Sequence, residues 1–265
     1  MTRPPYAWPD PDRDYANGAF IADAALFPAR WTEMARAFRD SLGTRAHPDL
    51  PYGTGPRQFY DLFEPEGTAR GTVLFIHGGY WMAFGRESWS HLAAGPLARG
   101  WRVVMPSYSL APDASITQMV QEMADLTRLI LQDRPGPLIA TGHSAGGQLA
   151  ARLACTDLAL PIARTVPISP LSELGPLMAT KMNETLGITE DEAARESPAR
   201  LRRAPGISAH IHVGADERPA FLAQARILAE EWSCPWSTAG GKHHFNVLDA
   251  LADPGSALTN TLLAL

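Results

Sequence analysis

Pro137-Leu138-Ile139-Ala140-Thr141-Gly142-His143-Ser144-Ala145-Gly146, continued by Gly147-Gln148-Leu149-Ala150-Ala151-Arg152-Leu153-Ala154, holds three local structures in a row. Residues 137–141 are a short continuous apolar run, the pattern of a buried strand. Residues 148–154 are good helix formers. Between them Gly142-His143-Ser144-Ala145-Gly146 fits G-x-S-x-G. At ordinary Gly and Ser usage of ~7% each, a chain of this length yields on the order of 0.1 such matches by chance. The pentapeptide alone therefore decides little, and its setting decides much. A strand that turns sharply into a helix puts a serine hydroxyl at the tip of the turn. Neighbours without bulk let strand and helix approach closely. The helix N-terminus then aims its free amides and positive dipole end at that hydroxyl. Ser144 is thus a candidate nucleophile, against the plainer reading of a glycine turn before a helix.

Working outward, the same rhythm repeats. Thr72-Val73-Leu74-Phe75-Ile76, Trp101-Arg102-Val103-Val104-Met105, Thr165-Val166-Pro167-Ile168 and Ala209-His210-Ile211-His212-Val213 read as further buried strands. Between them Ile116, Met119, Val120, Met123, Leu126 and Ile130 form one helical stripe, and Phe221, Ala225, Leu228 and Trp232 another. Strands alternating with helices predict a mostly parallel sheet covered on both faces, an α/β fold in one domain. A helix is expected over residues 21–38, with Trp31, Met34, Ala35 and Phe38 at helical spacing, and a loop over 48–56. A strand is expected over 57–63 and a last helical segment over 245–251. Residues 1–18, rich in Pro, Asp and Arg, read as an extended arm wrapped on the body or partly disordered, and residues 171–205, polar and helical in pattern, as a small cap or lid insertion.

A second chemical feature is His77-Gly78-Gly79-Tyr80-Trp81, directly after the strand ending at Ile76. Attack on a carbonyl places negative charge on one oxygen, and preorganised backbone N–H groups stabilise it. Gly78 and Gly79 are expected to supply two such donors, and Ala145, next to the nucleophile, a third. The bland alternative is a plain β-turn. Trp81, Phe84 and Trp89 follow this loop and are candidates for an apolar pocket, with core packing the alternative. His77 reads as a loop-holding residue and His143 as structural.

A serine nucleophile needs a base and an orienting carboxylate. In the order Ser, acid, His, the base lies near the C-terminus. His243 and His244 in Gly240-Gly241-Lys242-His243-His244-Phe245 qualify, and the residues alone leave both open. The acid belongs after the strand 209–213, where Asp216 and Glu217 are adjacent. The spacing Gly-x-x-acid selects Glu217, leaving Asp216 as the alternative or as a cap for the helix that begins near Pro219.

The chain has 265 residues, 45% hydrophobic content, 19% charged residues and a net charge of −5. No basic run points to nucleic acid or an anionic membrane, and no apolar run approaches the ~20 residues of a membrane span. The first ten residues lack the apolar stretch of a secretory signal. Only Cys155 and Cys234 are present, which fits a reduced, cytoplasmic setting, with a single disulfide as the alternative. His210 and His212 share a strand face, a metal pair in principle and packed sheet residues by the plainer reading, since no third ligand is evident. No G-x-G-x-x-G or P-loop follows the first strand, so no cofactor is expected. Oligomeric state is open, with a homodimer the alternative to a monomer.

His77-Gly78-Gly79-Tyr80-Trp81, Pro106-Ser107-Tyr108-Ser109-Leu110-Ala111-Pro112 and Gly142-His143-Ser144-Ala145-Gly146-Gly147 together resemble the α/β-hydrolases related to kynurenine formamidase and to hormone-sensitive-lipase-type esterases. Tyr52-Gly53, Arg57 and Asp61-Leu62-Phe63 look like that family's early strand. Glu217-Arg218-Pro219-Ala220-Phe221 is similar to its acid loop, and His244-Phe245 resembles its His-Phe pair. The likeness runs from about Tyr52 onward. It implies the α/β-hydrolase fold, His244 as base, and Tyr80 and Trp81 beside the substrate. It implies a small ester or arylformamide, such as N-formylkynurenine, as substrate. The relatives often carry Asp where this chain has Glu217, which keeps Asp216 in view. The alternatives are a carboxylesterase without formamidase activity and a non-catalytic relative that keeps the fold as a ligand pocket.

Overall fold

A computed structural model describes residues 9–264. Its strands are β1 Ala46–Pro51, β2 Phe59–Phe63, β3 Thr72–Ile76, β4 Arg102–Pro106, β5 Leu138–His143, β6 Arg164–Ile168, β7 Ser208–Ala209, β8 Ile211–Gly214 and β9 Trp236–Ala239. Its helices are α1 Pro11–Asp14, α2 Phe27–Leu42, α3 Ala94–Ala98, α4 Ile116–Asp133, α5 Ala145–Arg152, α6 Asn183–Leu186, α7 Glu190–Glu196, α8 Pro219–Glu231 and α9 Ala257–Leu262. The strands form one sheet in the order β1-β2-β4-β3-β5-β6-β8-β9, with β7 also paired to β6. β2 pairs antiparallel with both its neighbours, β1 and β4, and the other pairings are parallel. This is the mostly parallel α/β-hydrolase sheet expected from the alternation of apolar runs and helical stripes.

Strand alternation divides the core in two. Leu74, Ile76 and Ala140 pack with α4, α5 and α8 on one face. Val73, Phe75 and Ile139 pack with α2, α3 and α9 on the other. Successive residues of a strand point to opposite faces, so a sheet buried on both sides is apolar at every position. β3 is buried along its whole length for that reason. All six residues of the α4 stripe are buried, and Ser115 and Gln118 close a capping box at its start.

Local expectations shift at the ends of elements. The N-terminal helix starts at Phe27 rather than 21, with Pro28 in its first turn, where a missing N–H costs nothing. Trp31 and Ala35 are buried as predicted, but Met34 faces solvent. Part of the expected loop 48–56 is strand β1, which pairs with β2 through a register shift between His47 and Leu50. The expected strand 209–213 is broken at His210 into β7 and β8. The segment 245–251 is a 3-10 helix, Val247–Ala252. No helix among the described residues is long and apolar enough to cross a membrane, and both cysteines are free.

The segment 171–205 is helical but does not sit over the serine. It flanks α4, α5 and α8. Glu192 accepts from the Thr117 amide at the start of α4 (2.9 Å), and Trp232 at the end of α8 donates to the carbonyl of Pro198 (3.1 Å). Arg152 on α5 is buried and pairs with Glu196 at 2.9 Å and with Asp157 at 2.8 Å. A guanidinium removed from water needs such partners on more than one nitrogen.

Candidate active site

Ser144 stands between β5 and α5 with φ 56° and ψ −116°, a conformation that side-chain-bearing residues rarely adopt. Close packing around it holds the turn. Its amide donates to the carbonyl of Ile168 on β6 (2.9 Å), and its carbonyl accepts the first helical bond of α5 from Gln148 (3.1 Å). A β-carbon on Gly146 would stand 2.1 Å from the Ile76 carbonyl oxygen, so only glycine lets α5 start this close to β3. The Ala145 amide opens the helix, where no preceding turn supplies an acceptor.

The loop after β3 presses on this turn. A β-carbon on Gly78 would lie 2.8 Å from the His143 carbonyl oxygen and 3.2 Å from Ser144 Cβ. Gly79 has φ 119°, and its carbonyl accepts from the Met82 and Ala83 amides. Among the described residues, the amides of Gly78 and Gly79 have no acceptor. Two side chains brace the loop from outside. Arg57 donates to the carbonyls of Tyr108 (2.8 Å) and Phe84 (2.5 Å). His77 donates through Nδ1 to the Gly78 carbonyl (2.7 Å) and stacks on Tyr108, whose hydroxyl bonds the His77 carbonyl. Burial pushes the His77 ring down to about 4, so it stays neutral at physiological pH.

The two pairs left open by the sequence separate by burial. Glu217 is buried, and its Oε2 stands 2.6 Å from His244 Nδ1. Its Oε1 accepts from the Gly214 amide (2.9 Å) and from the Ser169 hydroxyl (2.5 Å). Asp216 is exposed. His244 is buried against Phe221 and His143, with ring centroids 4.2 and 4.4 Å away. His243 turns out against Phe27, and its Nδ1 accepts from the Phe245 amide. A carboxylate on Nδ1 holds an imidazole in the tautomer whose Nε2 can take up a proton. Ser169, in left-handed backbone just past β6, is a participant that sequence reasoning missed. Its only local mark is a hydroxyl at the end of an apolar strand.

Ser144 and His244 share the wall of a cavity of about 490 Å³. Gly78, Gly79 and Tyr80 line it, as do Met82, Phe84, Trp89 and Phe245. Trp81 does not. It is fully buried in the core, and its indole N–H donates to Gln148 (3.2 Å). Its neighbour Tyr80 lines the cavity instead. The cover of the cavity is N-terminal: Gly18, Ala24, Ala25, Pro28 and Trp31 line it, whereas no residue of 171–205 does. The described part of the expected arm is therefore structured. Asn17 donates to the Tyr80 hydroxyl (2.9 Å), which itself donates to the Tyr15 carbonyl. Asp12 accepts from the Lys181 amide, Gln224 donates to the Tyr15 hydroxyl, and the Arg218 guanidinium lies 3.8 Å above the Phe20 ring. The arm's first eight residues lie outside the described ones.

His210 and His212 are occupied elsewhere. Both rings meet the Ser237 hydroxyl on β9, at 2.8 and 2.9 Å. Among the described residues no group of three His, Cys, Asp or Glu side chains is placed to hold a metal.

Comparison with known proteins places the fold in a family. Residues 73–263 match the alpha/beta hydrolase family. Kynurenine formamidase of Danio rerio is 29% identical over 255 residues, covering 88% of this chain and 84% of the relative. A crystal structure from Silicibacter sp. TM1040, described as a candidate thioesterase, is 46% identical with a TM-score of 0.93, covering 96% of this chain and 98% of that one. Esterase B of Lactobacillus rhamnosis shares the fold at 19% identity and a TM-score of 0.63, covering 89% and 91%. The family model spans most of the chain, and the chain belongs to the alpha/beta hydrolase family.

Proposed function

We propose that this chain is a serine hydrolase that cleaves a small ester or an arylformamide. Ser144 attacks the carbonyl carbon while His244 Nε2 takes its proton. Glu217 holds the imidazole and stabilises its protonated form. The amides of Gly78, Gly79 and Ala145 receive the oxyanion. His244 then gives its proton to the departing alcohol or arylamine. Water, deprotonated by the same imidazole, releases the acid and restores Ser144. The observation that carries this reading is the cavity wall shared by Ser144 and His244, with Glu217 buried behind the ring. The chain is read as a single domain, with its N-terminal segment covering the cavity.

Likeness to kynurenine formamidase over most of the chain supports an arylformamide. In that case the acyl group is formyl and the aromatic leaving group occupies the cavity. A carboxylesterase without formamidase activity is the second reading, favoured by the apolar cavity wall. Comparing kcat/KM for N-formylkynurenine with that for p-nitrophenyl acetate and butyrate separates the two. A background rate with both N-formylkynurenine and the neutral 2-acetylformanilide removes the formamidase reading. Full activity in Ser144→Ala removes both, and a Ser144 that no fluorophosphonate labels revives a non-catalytic pocket.

A further inference from the structure

The walls of the cavity bear on substrate class, given the reading of Ser144 as nucleophile. None of the described residues lining it is Asp, Glu, Lys or Arg. Apart from the tryptophan indoles, its polar side chains are Tyr80, His143, Ser144 and His244. The Tyr80 hydroxyl is taken up by the Tyr15 carbonyl and the Asn17 amide. Burial, reinforced by the neighbouring His244, holds His143 far below the ordinary histidine range, and so neutral. Ser144 and His244 are committed to the reaction. Among the described residues, the indole N–H of Trp89 and Nε2 of the neutral His143 are buried with no partner, and neither carries a charge.

Apart from the backbone of Gly78 and Gly79, whose amides are assigned to the oxyanion, the rest of the wall is hydrocarbon, the Met82 thioether and aromatic ring. Trp31, Phe84 and Trp89 pack on one another. Trp31 and Trp89 lie 4.7 Å apart, and Phe84 meets both edge to face at 5.9 and 5.6 Å. Rings that present edges and faces to each other have little free face left for a cation. A charged group entering this cavity gives up its hydration and meets no counter-charge. An uncharged aryl or alkyl group gains from the same transfer.

We propose that the cavity selects an uncharged aryl or alkyl group. Its substrates are then neutral esters and neutral arylformamides. A substrate carrying an ammonium and a carboxylate into the cavity, as the amino-acid end of N-formylkynurenine would, is a poor one. This separates the chain's chemistry, formamide or ester cleavage at Ser144, from the amino-acid recognition implied by the names of its relatives.

The test uses the full chain and matched pairs. In the ester series, 4-methylphenyl acetate is compared with 4-carboxyphenyl acetate and 4-(trimethylammonio)phenyl acetate, each rate divided by its hydroxide-catalysed rate. In the formamide pair, 2-acetylformanilide is compared with N-formylkynurenine, which has the same scissile bond and the same ortho ketone. The neutral member is expected to exceed each charged member by at least about tenfold in kcat/KM, a modest share of what a mismatched pocket can impose. Ala25→Arg places a cation at an exposed position of the lining and is expected to raise the carboxylate-to-neutral ratio. Parity within the pairs, preference for the charged member, or an unchanged ratio in Ala25→Arg overturns the selectivity while leaving Ser144 as nucleophile. Turnover of no ester or formamide, with Ser144 unlabelled by a fluorophosphonate, overturns the catalytic reading and this proposal with it.

Discussion

Glu217 and His244 form a buried pair, Oε2 to Nδ1 at 2.6 Å, from loops on two adjacent strands. The carboxylate's other oxygen is filled by the Gly214 amide and the Ser169 hydroxyl, so the group is fixed from both ends. A carboxylate held in this way keeps its direction against the imidazole through the reaction. Glu217→Gln is expected to lower kcat by roughly 10³- to 10⁴-fold, and Asp216→Asn to leave it within about twofold, since exposed charges couple weakly. His244→Ala and His243→Ala should divide in the same way. Steady-state kinetics decide, and the opposite ranking in either pair removes the assignment.

Ser169 acts through Glu217. Ser169→Ala removes one of the donors to the charged carboxylate and is expected to lower kcat roughly tenfold with little change in KM, the scale of a hydrogen bond to a charged group. A rise in KM alone would place Ser169 in substrate binding instead.

Trp81 belongs to the core and not to the cavity. Trp81→Phe keeps most of the packing but strips the Gln148 side-chain oxygen Oε1 of its donor, which costs about 1–3 kcal/mol. Urea unfolding should show that loss while kcat/KM stays near that of the parent. A large change in KM without loss of stability would return Trp81 to the substrate.

Tyr80 ties the N-terminal cover to the glycine loop. Tyr80→Phe breaks both bonds of its hydroxyl and is expected to raise KM by about threefold to tenfold. Limited proteolysis within residues 10–31 should quicken in parallel. Unchanged KM and unchanged cleavage would show that the cover stays in place without this contact.

Burial pushes the rings of His77, His91 and His212 down to about 4. Unfolded histidine titrates near 6.5. Between these values the unfolded chain binds protons that the folded chain refuses, so stability rises with pH in this window. It should fall as pH drops from about 6.5 to about 4, and these groups should leave it level above 6.5. His91→Gln removes about one proton from the uptake on unfolding. Urea denaturation at pH 7 and pH 5 measures it, and an identical pH slope in parent and variant counts against a neutral buried His91.

Much of this fold and site was legible in the sequence because its signals are local. The elbow at Ser144 needs its glycines within two positions of the serine, as the close approach of Gly146 to Ile76 shows. The α4 stripe and its Ser115–Gln118 box are short-range patterns. The glycines after Ile76 mark a loop whose amides must face inward. These features follow from backbone sterics and from the periods of helix and strand. Tertiary structure alone decided the rest. Asp216 and Glu217 differ by one place in the chain, and only the packing around β8 and β9 buries one and exposes the other. Trp81 looked like a pocket residue because it follows the loop, but Gln148 on α5 draws it into the core. The cover comes from residues 18–31 and not from 171–205, because Tyr80 meets partners more than sixty positions earlier. Contacts across that distance depend on how the sheet folds the chain back on itself, and no local period encodes them. Ser144 could be found from its neighbours in sequence, whereas its cavity had to be found from its neighbours in space.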